Sequence, residues 1–319
     1  MHSFLMKESA PLPRRQFLVA GTTTVATAQS NFAKGETAAP IIDIHQHTGY
    51  LFRSNKQLRK HQQRLGATKT ILLPAGSVAN RASTHNGSSN GLAAHALGNE
   101  TSMQLAKAFP NEFCFGVNEV PDDPNVQKTL EKYLKAGAVV IGEQKFKVQC
   151  DSPHIWKIAE VAKEYDVPVL MHFEHNRYNL GIENFYKTLE KFPEVNFIGH
   201  AQTWWGNIDL CHTQEVMYPR SKVVAGGITD QLLKNYPNIY GDLSAGSGLN
   251  SMRRDEEHAQ EFLERHQDKL LYGSDCWDSA GQSRGCLGTT SQDTIRRLSK
   301  TQQIERKLLH DNAKKLFKL

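Results

Sequence analysis

The sequence lacks a long hydrophobic run, a cysteine framework and a basic tract, and each lack removes a class of protein. The apolar stretch near the N-terminus, Leu18 to Ala28, falls well short of the ~20 residues that a helix needs to cross a bilayer. It is also rich in Thr and Gly, so no stable membrane anchor is expected. Five cysteines (Cys114, Cys150, Cys211, Cys276, Cys286) contain no CxxC pair, and an odd count argues against a full disulfide framework. They read mainly as small buried residues, with one bridge, such as Cys276 to Cys286, left open for an exported chain. The net charge is only +5, and Lys7, Arg14 and Arg15 against Glu8 supply two of those charges. Without a long basic run elsewhere, nucleic acid is not an expected partner. What remains is a globular chain of 319 residues, long enough to bury a large core without staples.

The first residues read as a targeting segment. Pro13-Arg14-Arg15-Gln16-Phe17-Leu18 resembles the twin-arginine export motif, and Ala26-Thr27-Ala28 offers a small-x-small cleavage site before Gln29. The expectation is a signal peptide over 1–28, a linker over 29–40 and a folded domain over 41–319. The export machinery would be a partner, and the mature chain would be periplasmic or otherwise exported. That route carries folded proteins.

After Pro40, short β-type runs alternate with amphipathic helical runs. Eight strands are predicted: Ile41–Thr48, Lys69–Ala75, Phe113–Val120, Ala138–Phe146, Val167–Phe173, Asn196–Ala201, Ile239–Ser244 and Lys269–Asp275. Short continuous runs of Ile, Val, Leu and Phe mark strands buried on both faces, as in a parallel sheet. Between them, Val126, Leu130, Tyr133 and Leu134 make one helical stripe, closed by Gly137. Ile155, Ile158, Ala159, Ala162 and Tyr165 make another. Regular alternation of eight pairs predicts an α/β fold, a (β/α)8 TIM barrel, although an open doubly wound sheet shares the local pattern. The stretches 77–99 and 203–226 break the rhythm and are expected to overhang the C-terminal face.

Asp43-Ile44-His45-Gln46-His47 closes the first strand. Residues two apart on a strand share a side, so His45 and His47 can both aim into the barrel mouth and bind one metal ion. Glu143, His172, His200 and Asp275 lie at or near the ends of strands four, five, six and eight. In a parallel barrel these ends meet at one face, where active sites of this fold sit. Each residue alone could be a loop cap or a satisfied core histidine; together they predict a metal or catalytic centre.

This order of residues resembles the amidohydrolase superfamily, in detail its amidohydrolase-2 branch, which includes aminocarboxymuconate-semialdehyde decarboxylase and several lactonases. Ile198-Gly199-His200-Ala201, Leu271-Tyr272-Gly273-Ser274-Asp275 and the terminal Asn312-Ala313-Lys314-Lys315-Leu316-Phe317 carry the resemblance over nearly the whole mature chain. The resemblance implies a distorted (β/α)8 barrel with a divalent metal, zinc in most members. It implies His45, His47 and His172 as ligands, Asp275 as ligand or base, and His200 as the residue that orients or polarises substrate. Glu143 stands where some members hold a ligand bridging two metals, and Lys145 is near where others hold a carboxylated lysine. One ion, with Glu143 behind the ligands, is the favoured reading; two ions are the alternative.

On the next loop, His175 is a candidate for substrate contact. Arg177 could fork onto a substrate carboxylate, although a solvated loop charge is the blander reading. Trp204 and Trp205 read equally as substrate wall or as packing. Asp242 reads as a structural cap. His85, His95, His212, His258, His266 and His310 read as surface residues. Zinc held by imidazoles brings the pKa of its water to about 7. With Asp275 as base and His200 on the carbonyl oxygen, hydrolysis of a lactone, amide or related C–O or C–N bond of a small molecule is the expected reaction. Non-oxidative decarboxylation of a small carboxylic acid is the rival, because barrel and ligands are shared. A non-catalytic metal-binding barrel is the reading of another class. The oligomeric state stays open, a homo-oligomer included.

Overall fold

The computed structural model describes residues 39–75, 96–279, 281 and 285–319. The expected signal peptide, most of the linker and most of the 77–99 stretch lie outside the described residues. Residues 38–319 form one compact unit.

The chain runs β1 (Ile41–Gln46), α1 (Asn55–Arg64), β2 (Ala67–Leu72), α2 (Asn99–Ala108), β3 (Phe113–Phe115), α3 (Val126–Lys135), β4 (Ile141–Gln144), α4 (Pro153–Tyr165), β5 (Val169–His172) and α5 (Phe185–Lys191). It continues through β6 (Phe197–His200), α6 (Gln202–Gly206), α7 (Ile228–Asn235), β7 (Ile239–Asp242), α8 (Ala245–Arg253), α9 (Glu256–Arg265), β8 (Leu270–Leu271), α10 (Leu287–Leu298), α11 (Gln302–Arg306) and α12 (Asn312–Phe317). Each of the eight predicted strands is present, shorter than its apolar run. The helical stripes are also as expected: Val126, Leu130, Tyr133 and Leu134 are the buried face of α3. Asp166, in a left-handed conformation, ends α4 before the fifth strand.

All strand pairs are parallel, in the orders β1-β2-β3 and β4-β5-β6-β7-β8. Backbone hydrogen bonds join these two arcs. Val117 N–H donates to Val140 O at 2.9 Å on one seam, and Ile44 N–H to Tyr272 O at 3.2 Å on the other. The sheet therefore closes, and the barrel reading holds over the open sheet.

Two apolar layers follow from the two faces of each strand. Ile42, Ile44, Ile71, Leu73, Val140, Leu170, Ile198 and Leu271 fill the barrel interior, and Ala313, Leu316 and Phe317 of α12 close its lower end. Ile41, Leu72, Phe115, Ile141, Met171 and Phe197 face the helices. Burial on both faces explains why the strands read as unbroken apolar runs.

Regular alternation breaks in β1. Asp43 is opposite Thr70, yet Gln46 is opposite Leu72, so three steps on β1 match two on β2. A slip of this kind re-aims the side chains beyond it. Ile42 and Ile44 face inward, so an ideal strand would point Gln46 inward next. The slip brings His45 and His47 inward in its place. A second slip on β4, between Ile141 and Gln144, accompanies the placement of Glu143.

Several expected surface residues are internal. His258, His266 and His310 are buried, His266 against Asp230 at 2.5 Å. His212 is partly exposed, and His85 and His95 lie outside the described residues. All five cysteines are free thiols.

Candidate active site

The ends of β1, β4, β6 and the segment after β8 converge on one buried cluster. His45 and His47 place their Nε2 atoms 3.2 Å apart. The other nitrogen of each ring is already committed. His45 Nδ1 lies 2.7 Å from Asp242 Oδ2, and His47 Nδ1 lies 2.8 Å from the Leu73 carbonyl. A carbonyl only accepts, so His47 carries its proton on Nδ1, and the carboxylate assigns His45 likewise. Two imidazole lone pairs then face each other, which requires a positive centre beside them, a proton or a metal ion.

Two carboxylates surround that position. Asp275 Oδ1 is 3.5 Å from His47 Nε2 and 3.9 Å from His45 Nε2. Glu143 Oε2 is 3.7 Å from both. Asp275 Oδ1 is buried without a hydrogen-bond partner, as an atom suited to a cation would be. His45, His47 and Asp275 form one group of converging donors, and His45, Glu143 and His200 form another. Nitrogen and carboxylate donors in this number suit a divalent ion, so the residues present fit a metal.

The electrostatics agree. Burial alone would lower the His45 pKa, but Asp275 and Asp242 outweigh it and raise it well above the ordinary value. Burial would raise the Asp275 carboxyl, yet His45 and His47 hold it far below the usual carboxylate range. Glu143 is likewise held ionised against burial, by Lys145 and His172. Burial pushes His200 down to about 4, with Asp242 opposing. The cluster is rich in negative charge and asks for a cation.

Local structure fixes the geometry. Asp43 accepts from Ser274 N–H at 2.8 Å and from His45 N–H at 3.1 Å, tying β1 to the end of β8. Asp275 has φ of 42°, and its N–H donates to His45 O at 2.9 Å. A Cβ on Gly273 would stand 2.8 Å from His45 Cβ and 2.7 Å from Asp242 Oδ1, so only glycine lets the two strands approach this closely.

The profile of the amidohydrolase family matches residues 42–319. The chain belongs to this family. It is therefore an enzyme of the amidohydrolase superfamily. No curated protein matches the chain. Solved structures share its fold at low identity. An uncharacterised TIM-barrel protein from Bordetella bronchiseptica is 13% identical, with a TM-score of 0.59 over 88% of this chain and 98% of its own. A 2,6-dihydroxybenzoate decarboxylase is 14% identical, with a TM-score of 0.57 over 88% of this chain and 100% of its own. A probable 2-pyrone-4,6-dicarboxylic acid hydrolase from Acinetobacter baumannii is 13% identical, with a TM-score of 0.57 over 88% and 99%.

Other predicted site residues of this amidohydrolase fall differently from expectation. His172 stays outside both donor groups. Its Nδ1 is hydrogen-bonded to Glu143 and its Nε2 lies 3.3 Å from Glu174 Oε2. Glu143 stands among the converging donors rather than behind them. His200 presents its Nδ1 to Ser244 Oγ at 3.1 Å, and the Ser244 hydroxyl donates to Asp242 Oδ2 at 2.9 Å. A neutral His200 thus carries its proton on Nδ1 and turns a lone pair to the cluster, which suits a ligand and not a donor to a carbonyl oxygen. Trp204 is fully buried, stacked on Phe173 at 5.7 Å between centroids, and it is core rather than substrate wall. Arg177 donates to Glu174 Oε1 at 2.8 Å, which occupies one arm of its fork. His175 lines a polar cleft of about 440 Å³ together with Glu174, Asn179, Thr203 and Gln214. Lys145 Nζ lies 5.5 Å above the Tyr178 ring.

Sequence reasoning missed three residues here. Asp242 was read as a cap and proves to orient His45 and, through Ser244, His200. Glu174 sits two places after His172, a spacing that could have flagged it. The Tyr50 ring is 5.0 Å from His47, and burial followed by the charge of Asp275 raises its pKa.

Proposed function

We propose that this amidohydrolase hydrolyses a C–O or C–N bond, of a lactone, amide or related group, in a small polar molecule. Asp275 carries the reading: a buried carboxylate, held ionised, with one oxygen lacking any hydrogen-bond partner. Hydrolysis needs a proton acceptor beside the attacking water; with Oδ1 turned to the ion, Asp275 Oδ2, 4.0 Å from His200 Nε2, takes that role. Decarboxylation needs a proton donor for the new carbon–hydrogen bond, which an ionised Asp275 and a neutral His200 do not offer.

His45, His47, Glu143, His200 and Asp275 would hold a divalent ion, zinc in this reading, and the ion when bound supplies Lewis acidity to an oxygen of substrate or water. One ion is favoured. The two donor groups share His45, and with its Nδ1 committed to Asp242 only Nε2 is free. Asp242 and Ser244 fix the imidazole tautomers; His172 and Glu174 hold Glu143 in place. Asp275 takes the proton from water and returns it to the leaving group. Tyr50 lies against this carboxylate and orients it. The substrate enters by the cleft at His175, whose polar lining suits a hydrogen-bonding molecule. Residues 1–28 would direct export by the twin-arginine route.

The test is a metal-reconstituted screen of lactones, N-acyl compounds and aromatic carboxylic acids with product mass as readout. Addition of water to a lactone or amide is the expected result. Release of CO2 without any hydrolysis would overturn it in favour of decarboxylation, and metal binding without turnover would favour the non-catalytic barrel.

A further inference from the structure

Behind the mouth, three donor atoms from two distant parts of the chain meet in a buried space. Cys286 Sγ, at the start of α10, lies 3.7 Å from Cys276 Sγ and 3.4 Å from His61 Nε2 of α1. All three donor atoms lie within 4.8 Å of one another. Each residue is at most 1% exposed. Leu65 and Leu287 supply the apolar wall, and a Cβ on Gly281 would stand 3.1 Å from the His61 carbonyl oxygen. None of the three belongs to the donor groups at the mouth.

The spacings discriminate between uses of the pair. A disulfide requires about 2.05 Å between sulfurs, far less than is seen. A tetrahedral ion with metal–sulfur bonds of about 2.3 Å and a metal–nitrogen bond of about 2.0 Å spans edges of about 3.8 Å (S···S) and about 3.5 Å (S···N). The two separations from Cys286 lie within a few tenths of an ångström of these edges, and Cys276 Sγ stays within 4.8 Å of His61 Nε2. Charge also fits, since two thiolates and a neutral imidazole neutralise a dication in a space that gives little solvation. The ligand role requires His61 to hold its proton on Nδ1, next to the Gln62 amide at 3.2 Å. Turning that amide makes its oxygen the acceptor, and the Thr70 hydroxyl on its other side serves either orientation.

We propose that His61, Cys276 and Cys286 form a second, thiolate-rich metal site for a zinc-class dication, separate from the barrel mouth. Its role is positional. Cys276 follows Asp275 directly, and its carbonyl accepts from Gln46 Nε2 at 3.1 Å and Arg53 Nη1 at 2.8 Å. An ion on Cys276 would fasten the segment carrying Asp275 to α1 and α10. The bound ion displaces two thiol protons to solvent and no electrons move.

The test loads the reduced, metal-stripped full-length chain with Co2+ and records the near-ultraviolet sulfur-to-cobalt charge-transfer absorption. Imidazole and carboxylate ligands at the mouth give no such band, so the two sites are read separately. The band should appear in the wild type and bleach on adding Zn2+. It should persist in His45→Ala/His47→Ala, in Cys114→Ser and in Cys211→Ser, and disappear with one metal equivalent in Cys286→Ser. Absence of the band in the reduced wild type would overturn the proposal without help from any variant. So would its survival in Cys286→Ser.

Discussion

Replacing Asp242 by Asn separates an orienting carboxylate from a simple cap. Asp242 is fully buried. One oxygen accepts from Ser244 N–H at 3.0 Å; the other faces His45 Nδ1 at 2.7 Å and the Ser244 hydroxyl at 2.9 Å. Asparagine keeps the first bond through its carbonyl oxygen. Its amide nitrogen then meets two donors, and His45 escapes the clash only by moving its proton to Nε2. That change removes the lone pair aimed at the cluster. Loss of such an orienting partner lowers metal affinity by about 10–100-fold, or about 1.4–2.8 kcal/mol. In the metal-free protein the lost charge-assisted bond costs a further ~1.5–3 kcal/mol of stability. A cap alone would cost about 1 kcal/mol and leave metal affinity unchanged. Metal competition titration and thermal unfolding of the stripped protein, on one preparation, measure both. Undiminished metal affinity in Asp242→Asn would refute the tautomer argument.

Asp275→Asn should lower kcat by roughly 10²–10⁴-fold and retain more metal than His45→Ala/His47→Ala; near-normal turnover would move the base role to Glu143. Metal affinity should rise with pH. His45 has a raised pKa and keeps its proton at neutral pH without metal, so binding must displace that proton. The gain approaches about tenfold per pH unit until His45 titrates, and a pH-independent affinity by calorimetry would contradict it. Arg14→Lys with Arg15→Lys should retain the precursor in the cytoplasm; fractionation that finds it exported as before would remove the twin-arginine assignment.

The fold was legible because each strand is buried on both faces and therefore reads as an apolar run, with the chemistry-bearing residues placed at run ends. What stayed hidden depends on relations between strands. The slip at Asp43–Gln46 is a property of β1 against β2, so counting residues two apart found His45 and His47 for a reason that an ideal strand would not have supplied. His172 has Glu143 and Glu174 against its two ring nitrogens, neighbours that only the fold brings together. Trp204 had a local signal that was overlooked: a Cβ at Gly199 would lie 2.3 Å from its ring, so the preceding strand leaves room for the indole to fold beneath it. His61 carried no pattern at all, being 215 and 225 positions from the two cysteines it meets.

The slip in β1 also separates two kinds of inheritance. Below it, Ile42 and Ile44 answer only to volume, and conservative apolar exchange there leaves the mouth untouched. Above it, the side chains answer to an ion. The one residue between Ile44 and Gln46 is His45, so deleting it would restore ideal alternation with Gln46 outward and leave His47 as the strand's single inward histidine. The barrel thus owes its second inward histidine to a single supernumerary residue in β1.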